Sequence, residues 1–236
     1  MKKALGVMKN VAMIILFVVV CFGLNARQQN KKQLDYFEHL DDVVFTVDGE
    51  EVTMRDLGLY ILYVERNVEE EAVVYNRKST KDFWNIHTND TFIQLQAKES
   101  ILEMAIHDRL FYQLALEEGL ELTPEDESYL AFAIIDFWED MLDCQRDRLP
   151  ADEETINQQL RLATVAEKYQ NNLAETKGPT VAAYKYDGYE YKLIKEQHEI
   201  VINDKLWDRF VVGDVTLVHN RINYINGYNR EDETEE

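Results

Sequence analysis

The hydrophobic pattern of the chain begins with a short β-type segment. Val43–Val47 consists of β-branched and aromatic residues, and Asp48-Gly49 follows it, a dipeptide typical of a two-residue hairpin turn. Glu51-Val52 then provides a short returning strand. Because a two-stranded hairpin is only marginally stable alone, we expect a third strand from another part of the chain to extend the sheet.

The following 120 or so residues show helical spacing, with apolar side chains recurring three or four positions apart. The predicted helices cover residues 54–75, 91–118, 124–149 and 152–176, the last as one long helix or two consecutive ones. Thr53 and Thr123 are expected to be helix N-caps, with Pro124 at the first helical position, and Gly119 to end the second helix. The sequence therefore predicts a mainly α fold.

After Pro179 the pattern changes again. Residues 184–191 fit either a hairpin or the approach to a helix that starts near Tyr189. The region from Glu199 to Val218 is too apolar for a solvated tail, and it offers strand candidates at 199–202 and 215–218. We predict that this region folds back, so that 199–202 or 214–218 joins the N-terminal hairpin in a small antiparallel sheet and Trp207 is buried against the helices.

The first 26 residues have the pattern of an export leader. Lys2, Lys3 and Lys9 lie before its apolar run, and every residue of that run, from Val11 to Leu24, is apolar or Gly. This length fits a signal peptide and is short for a full membrane span, so residues 1–26 are a signal peptide or an N-terminal membrane anchor. Lipidation at Cys21 is a third option. The later residues are then expected outside the cytoplasm, after a polar spacer over 27–42.

Charge narrows the classes of partner. The chain has 45 acidic and 25 basic residues, and without the leader its net charge is −23. Binding to a nucleic acid is not expected, because neutralising phosphates needs clustered Lys and Arg. Residues 223–236 are predicted to be an acidic disordered tail. Two Cys cannot make a disulfide framework, and Cys144 is the single Cys after the leader.

No catalytic or metal-binding motif is present in the sequence, so we assign no catalytic residue, metal or cofactor. Acidic runs such as Glu69-Glu70-Glu71 are interpreted as solvated helix faces. The third helix carries more large apolar residues than one narrow stripe requires, so either it packs on two sides or part of it forms a binding surface. The candidate peptide-binding residues are Tyr129, Phe132, Phe137, Trp138 and Met141.

Two motifs follow each other in an order known from one family. Residues 47–57 fit V-x-G-x-x-[IV]-T-x-x-[DE]-[LF], and residues 115–126 fit A-x-[EK]-x-G-[IL]-x-[LV]-[ST]-x-E-[ED]. Behind an export leader, this order resembles the N-terminal domain of the SurA/PrsA-type extracytoplasmic foldases over about residues 43–175. The matching residues have structural roles in turns and caps; they are Gly49, Thr53, Gly119, Thr123 and Pro124.

The resemblance implies a helical domain over 43–222, with a helical part at 43–176 and a return segment at 177–222. Full foldases insert a parvulin prolyl isomerase after the helical part, and this chain has neither the length nor the motifs for it. The leading hypothesis is therefore a non-enzymatic, chaperone-like protein at the outer face of the membrane, or secreted, that binds unfolded or translocating polypeptide. An isomerase-related enzyme and a structural or regulatory subunit of an envelope complex are the alternatives. The oligomeric state stays open.

Overall fold

Helices dominate the structure, as the spacing of the apolar residues predicts. The computed structural model describes residues 33–219 and the backbone of 222–223 and 230–231, so the predicted leader (1–26), the first part of the spacer (27–32) and most of the acidic tail lie outside the described residues. Those from Asp35 onward belong to one compact unit. The α-helices of the described part are α1 (Gly58–Asn76), α2 (Thr80–Trp84), α3 (Ile93–Glu117), α4 (Pro124–Glu139), α5 (Asp143–Arg146), α6 (Glu153–Lys177), α7 (Tyr189–Lys195) and α8 (Asp204–Trp207).

A three-stranded antiparallel sheet joins the two ends of the described chain. Strands β1 (Val43–Val47) and β2 (Glu50–Thr53) form the predicted hairpin, whose turn residues Asp48 and Gly49 have φ angles of 49° and 85°. Strand β5 (Ile200–Ile202) pairs with the other edge of β1, with Phe45 opposite Ile202, which gives the order β2-β1-β5. The mainly α fold with a small sheet made by the hairpin and a return strand is thus confirmed.

Two further strand pairs are very short. Strands β3 (His87–Thr88) and β4 (Thr91–Phe92) form a hairpin directly before α3, and β6 (Ile222–Asn223) pairs with β7 (Arg230–Glu231). In the first of these hairpins Asn89 and Asp90 both have positive φ angles, so this turn occupies the position where the sequence predicts the N-cap of α3. Helix α3 consequently begins at Ile93 instead of Thr91.

The core lies along α3 and α6, which have 25 residues each and form the most extensive helix pair. Phe111 of α3 is fully buried and contacts the ring of Tyr169 on α6 and that of Tyr191 on α7, with centroids 5.5 and 5.8 Å apart. His107 lies beside this group and bonds through Nε2 to the carbonyl oxygen of Tyr184. These aromatic contacts fix the C-terminal part of the chain to the central helices.

The predicted end of the helix that starts at Pro124 is wrong, and the alternative left open for the last long segment is resolved. The helix predicted over 124–149 ends at Glu139, and α5 follows after a short break. The guanidinium of Arg146 donates to the carbonyl oxygen of Trp138 and lies over its ring, so α5 turns back onto the end of α4. The last long segment is a single helix, α6, with Asp152 as its N-cap and Gly178 at a φ of 98° beyond its end.

The return segment folds back as predicted, through only one of the two strand candidates. Helix α7 begins at Tyr189, and Trp207 on α8 is buried, with the ammonium of Lys98 donating to the carbonyl oxygens of Trp207 (2.5 Å) and Phe210 (2.9 Å). Residues 215–218 are not a strand, which corrects that part of the prediction. The backbone N–H groups of Val215 and Thr216 bond to the carboxyl group of Glu65 on α1 instead of a neighbouring strand.

Candidate functional site

A cavity of about 450 Å³ lies among α1, α3, α4 and α6. Its walls are mostly apolar, and each of the four helices contributes to them. The lining includes Tyr60, Tyr63, Met104, Ala133, Phe137 and Met141. A cavity of this size with mainly apolar walls is typical of a site for an apolar ligand or for apolar side chains. We call it the four-helix cavity.

The Tyr60 hydroxyl in the wall of the four-helix cavity is hydrogen-bonded to Asp108. The Tyr60 hydroxyl donates to Oδ2 of Asp108 (3.1 Å), and Oδ1 of Asp108 lies 2.7 Å from Nδ1 of His107. Burial raises the pKa of Tyr60 well above its ordinary value, and the charge and hydrogen bond of Asp108 add to this effect. Tyr60 therefore stays a neutral donor, and both oxygens of Asp108 are occupied by structural partners.

A second cavity, of about 620 Å³, lies beside α1, α2 and α3. It shares Tyr63 and Met104 with the four-helix cavity, so these two side chains stand at the boundary of both. Its lining is more polar and includes Asn67, Gln96 and Tyr186. We call the two cavities together the α1–α3 groove.

Helix α4 places the five sequence-predicted residues in three different environments. Phe137 and Met141, which follows the helix, line the four-helix cavity. The Trp138 indole N–H donates to Oδ1 of Asn157 on α6 (2.8 Å), so this ring secures α4 to its neighbour. Tyr129 and Phe132 are 71% and 65% exposed and touch neither cavity lining. The structure thus brings two of the five into the cavity.

The outer surface of α4 is apolar at its centre. Tyr129, Phe132 and Ile135 follow each other at intervals of three residues, and Ile135 is 50% exposed. Leu130 is the one residue of α4 that is fully buried. One side of α4 thus packs on the protein and the opposite side leaves large apolar groups in solvent, so the interpretation that the helix packs on two sides is wrong and the binding surface stays a prediction.

The motif residues act in turns and caps. Gly49 and Gly119 have φ angles of 85° and 70°, a region that favours glycine. Thr123 and Asp126 form a capping box at the start of α4, with Pro124 at the first helical position. Thr53 makes the same reciprocal hydrogen bonds with Asp56, although a 3₁₀ turn (Arg55–Leu57) comes before α1 there. None of these residues lines either cavity.

The burial of the Glu65 carboxyl group on α1 was not predicted from the sequence. Glu65 is completely buried and accepts four hydrogen bonds from the return segment: from the backbone N–H groups of Gly213 (2.6 Å), Val215 (3.1 Å) and Thr216 (2.6 Å), and from the Thr216 hydroxyl (2.6 Å). Burial raises the pKa of Glu65, and the hydrogen bonds from Thr216, Gly213 and Val215 oppose this.

Glu69, one turn further along α1, is also buried, so its interpretation as part of a solvated face is wrong. Its Oε2 accepts from the Trp84 indole N–H (3.3 Å) and lies 3.2 Å from Nδ1 of His219. Burial alone would raise the pKa of Glu69, but hydrogen bonds from His219, Thr80 and Trp84 lower it. Because Glu65 and Glu69 lie four positions apart between Ile61 and Ala72, the apolar stripe of α1 was the signal for their burial.

His219 completes this buried polar group, which we call the carboxylate clamp: Glu65, Glu69 and their partners in residues 213–219. Burial lowers the pKa of His219, but the hydrogen bond and charge of Glu69, with the charge of Asp214, raise it above its ordinary value. The carboxyl groups of Glu65 and Glu69 join α1 to the return segment, and Oγ1 of Thr80 on α2 lies 3.3 Å from Nδ1 of His219. The chemistry of the clamp is therefore that of an anchor.

Within the described residues, no three or more His, Cys, Asp and Glu side chains are grouped so as to hold a metal ion. The helices of that same part include none with the length and apolar character needed to span a bilayer. Comparisons of the chain with protein-family models, curated proteins and solved structures find no match. The similarity to the foldases thus rests on the two sequence motifs and their order.

Proposed function

We propose that the chain is a chaperone-like protein that binds unfolded or translocating polypeptide in its α1–α3 groove, on the extracytoplasmic side of the membrane. The observation that carries this proposal is the four-helix cavity, about 450 Å³ of mainly apolar space beside the exposed aromatic face of α4. The order of the two foldase motifs behind an export-type leader supports it and suggests the compartment.

The length of the groove favours a polypeptide over a small molecule. Leu59 lines one cavity and Tyr75 the other, and the two residues are 16 positions apart on α1. This separation corresponds to about 24 Å along a helix. An extended chain of about seven residues has that length. Successive side chains of such a segment could enter the two cavities on either side of Tyr63 and Met104.

The composition of the groove suits ligands of varied sequence. Met104 stands between the cavities and Met141 lies at one end of the four-helix cavity, and the unbranched Met side chain adapts to different shapes. Tyr63 is 55% exposed and therefore offers its ring to an incoming chain. Such a site recognises apolar character without a fixed sequence, which is what an unfolded client presents. The proposal includes no bond-making or isomerase chemistry.

The test compares two double variants of the full-length chain. Tyr63→Ser with Phe132→Ser removes two exposed rings at the groove and on α4. Tyr189→Ser with Leu193→Ser removes two equally exposed side chains on α7, 61% and 52% accessible, which line neither cavity. We expect the groove variant to bind a panel of unrelated unfolded proteins at least about tenfold more weakly than the parent.

Binding is measured by fluorescence anisotropy of labelled, permanently unfolded proteins and by suppression of their aggregation. The α7 variant should bind as the parent does. Equal weakening by both variants, or no binding of any unfolded client by the parent, would contradict the proposal.

A further inference from the structure

All charged residues from just before α4 to the start of α5 are acidic. From Glu121 to Asp143 the sequence contains eight acidic residues and no Lys, Arg or His. Asp126 and Glu127 pair with Lys168 and Arg161 of α6. Asp136 and Glu139 are exposed and form no ion pair with another described residue. This end of the protein therefore presents uncompensated negative charge to solvent.

Two of these acidic residues, Asp140 and Asp136, lie in or beside the wall of the four-helix cavity. Asp140 belongs to the cavity lining, and Ala133 and Phe137 of α4 form part of its wall. At 100° per residue, Asp136 is displaced by about 60° around the helix from Ala133. Asp136 thus stands on the edge where the wall of the cavity meets the exposed apolar face of α4.

Positive charge around the α1–α3 groove is scarce. Arg66 is the one Lys or Arg among the residues that line the two cavities, and its Nε lies 3.5 Å from Oε1 of Glu70. Asp108, Asp140 and Glu71 belong to the same linings. An apolar cleft bordered mainly by charge of one sign concentrates the field of those charges and favours ligands of opposite sign.

We propose that the groove selects apolar segments flanked by Lys or Arg, an inference that rests on the proposed function. The apolar side chains of such a segment occupy the four-helix cavity, and its flanking cations lie against Asp136 at the edge of the cavity and Glu139 on the exposed face of α4. The exposed rings of Tyr129 and Phe132, on the same face of α4, provide additional surfaces for these cations. The partner is thus a cationic, amphipathic stretch of unfolded polypeptide.

The first experiment uses two labelled peptides with the same apolar core, one flanked by Lys and the other by Glu. Fluorescence anisotropy with the full-length chain at low ionic strength should show the Lys-flanked peptide binding about tenfold more tightly or better. This preference should shrink as salt approaches about 0.5 M, because the screening length then falls to only a few ångströms.

The second experiment changes the acids themselves. Asp136→Asn with Glu139→Gln should weaken binding of the Lys-flanked peptide about three- to tenfold and should not weaken binding of the Glu-flanked peptide, because the repulsion between like charges is then smaller. The matched control, Glu175→Gln with Glu196→Gln, removes the same charge from exposed positions on and after other helices and should change neither affinity.

The outcomes separate the two proposals. Equal affinities for both peptides, insensitive to salt and to the variants, overturn the charge selection and leave polypeptide binding in place. Failure of the parent to bind either peptide or any unfolded client overturns both.

Discussion

Helix α4 and the part of the return segment from Glu199 to His219 are both rich in large apolar residues, yet the first is largely exposed and the second largely buried. Helix α4 buries Leu130 completely and leaves Tyr129 and Phe132 in solvent. The return segment buries most of its apolar side chains. The buried ones are Leu206, Trp207, Phe210, Val212, Val215 and Leu217.

The difference lies in the backbone. A helix satisfies its own N–H and C=O groups, and the capping box at Thr123 completes the first turn of α4, so this helix needs no polar partner from its neighbours. Residues 208–219 form no regular ladder, and the backbone groups of buried members such as Phe210, Val215 and Thr216 bond to side chains from other parts of the chain. Glu65 accepts from the N–H groups, and Lys98 and Arg148 donate to the carbonyl oxygens.

Apolar composition alone therefore does not separate buried from exposed segments in this protein. Polar side chains that bond its backbone allow the return segment to be buried, whereas the outer face of α4 stays in solvent. Four measurements can break or sharpen this contrast between α4 and the return segment.

Truncation after Gln197 should have the largest effect. It removes β5 and Trp207 and leaves Glu65 and Glu69 buried without their partners in residues 213–219. The loss of the Trp207 packing alone should cost about 3–5 kcal/mol, so we expect the shortened chain to lose cooperative thermal unfolding. Circular dichroism melting measures this. A melting temperature equal to that of the full chain would show that the return segment contributes nothing to the fold.

Glu65→Ala should be nearly as damaging. The substitution leaves three buried backbone N–H groups without an acceptor, and we expect the free energy of unfolding in urea to fall by about 3–5 kcal/mol. Glu71→Ala, at an exposed position of the same helix, should change it by no more than about 0.5 kcal/mol. Similar losses in the two variants would deny the anchoring role of the clamp.

The pair of Glu69 and His219 should make stability depend on pH. The raised pKa of His219 gives stability that is complete below the unfolded value of about 6.5 and is lost as pH rises through the folded value. The lowered pKa of Glu69 gives stability that is complete above its unfolded value of about 4.5 and is lost as pH falls through the folded value. The pair therefore contributes most between these two unfolded values.

His219→Gln isolates this contribution, because subtracting the stability of the variant from that of the parent cancels the titration of other groups, Glu65 included. We expect a difference on the order of 1 kcal/mol near pH 6 that declines toward pH 9. Urea unfolding at a series of pH values provides the measurement. A difference that stays constant across this range would contradict a protonated His219 in the clamp.

The smallest effect on stability is expected on α4. Tyr129→Ala with Phe132→Ala should change the free energy of unfolding by no more than about 0.5 kcal/mol, because both rings are already exposed. Phe111→Ala, in the core, should lower it by about 3–5 kcal/mol in the same urea experiment. A large loss in the α4 variant would mean that its outer face packs against another surface in solution.

Local signals in the sequence were sufficient for much of the fold. The turn at Asp48-Gly49 and the N-cap at Thr123 depend on neighbouring residues and were predicted correctly. The choice between 199–202 and 214–218 as the third strand stayed open, because it depends on contacts across about 150 residues. Glu65 bonds to Thr216 across that separation, and no local pattern encodes the pairing.

Only the residues that α4 and its C-terminal end contribute to the groove could be predicted from the sequence. Phe137 and Met141 stood out because α4 carries more apolar residues than a single stripe needs. Tyr63 and Met104 are each one member of an ordinary apolar stripe on α1 and α3, and only the packing of the four helices identifies them as cavity residues. Predicting them requires the relative placement of helices, which periodicity within one helix does not contain.

The central position of β1 in the sheet has a kinetic consequence. Phe45 pairs with Ile202, so the sheet joins residues about 157 positions apart, whereas each helix can form from its own sequence. Closing so long a loop is entropically costly and slow, and we expect it to follow helix formation as the late step of folding. While the chain emerges from the ribosome or a translocation pore, Val43–Val47 has an open, apolar strand edge until residues 200–202 arrive. That interval is when a newly made molecule is most exposed to aggregation.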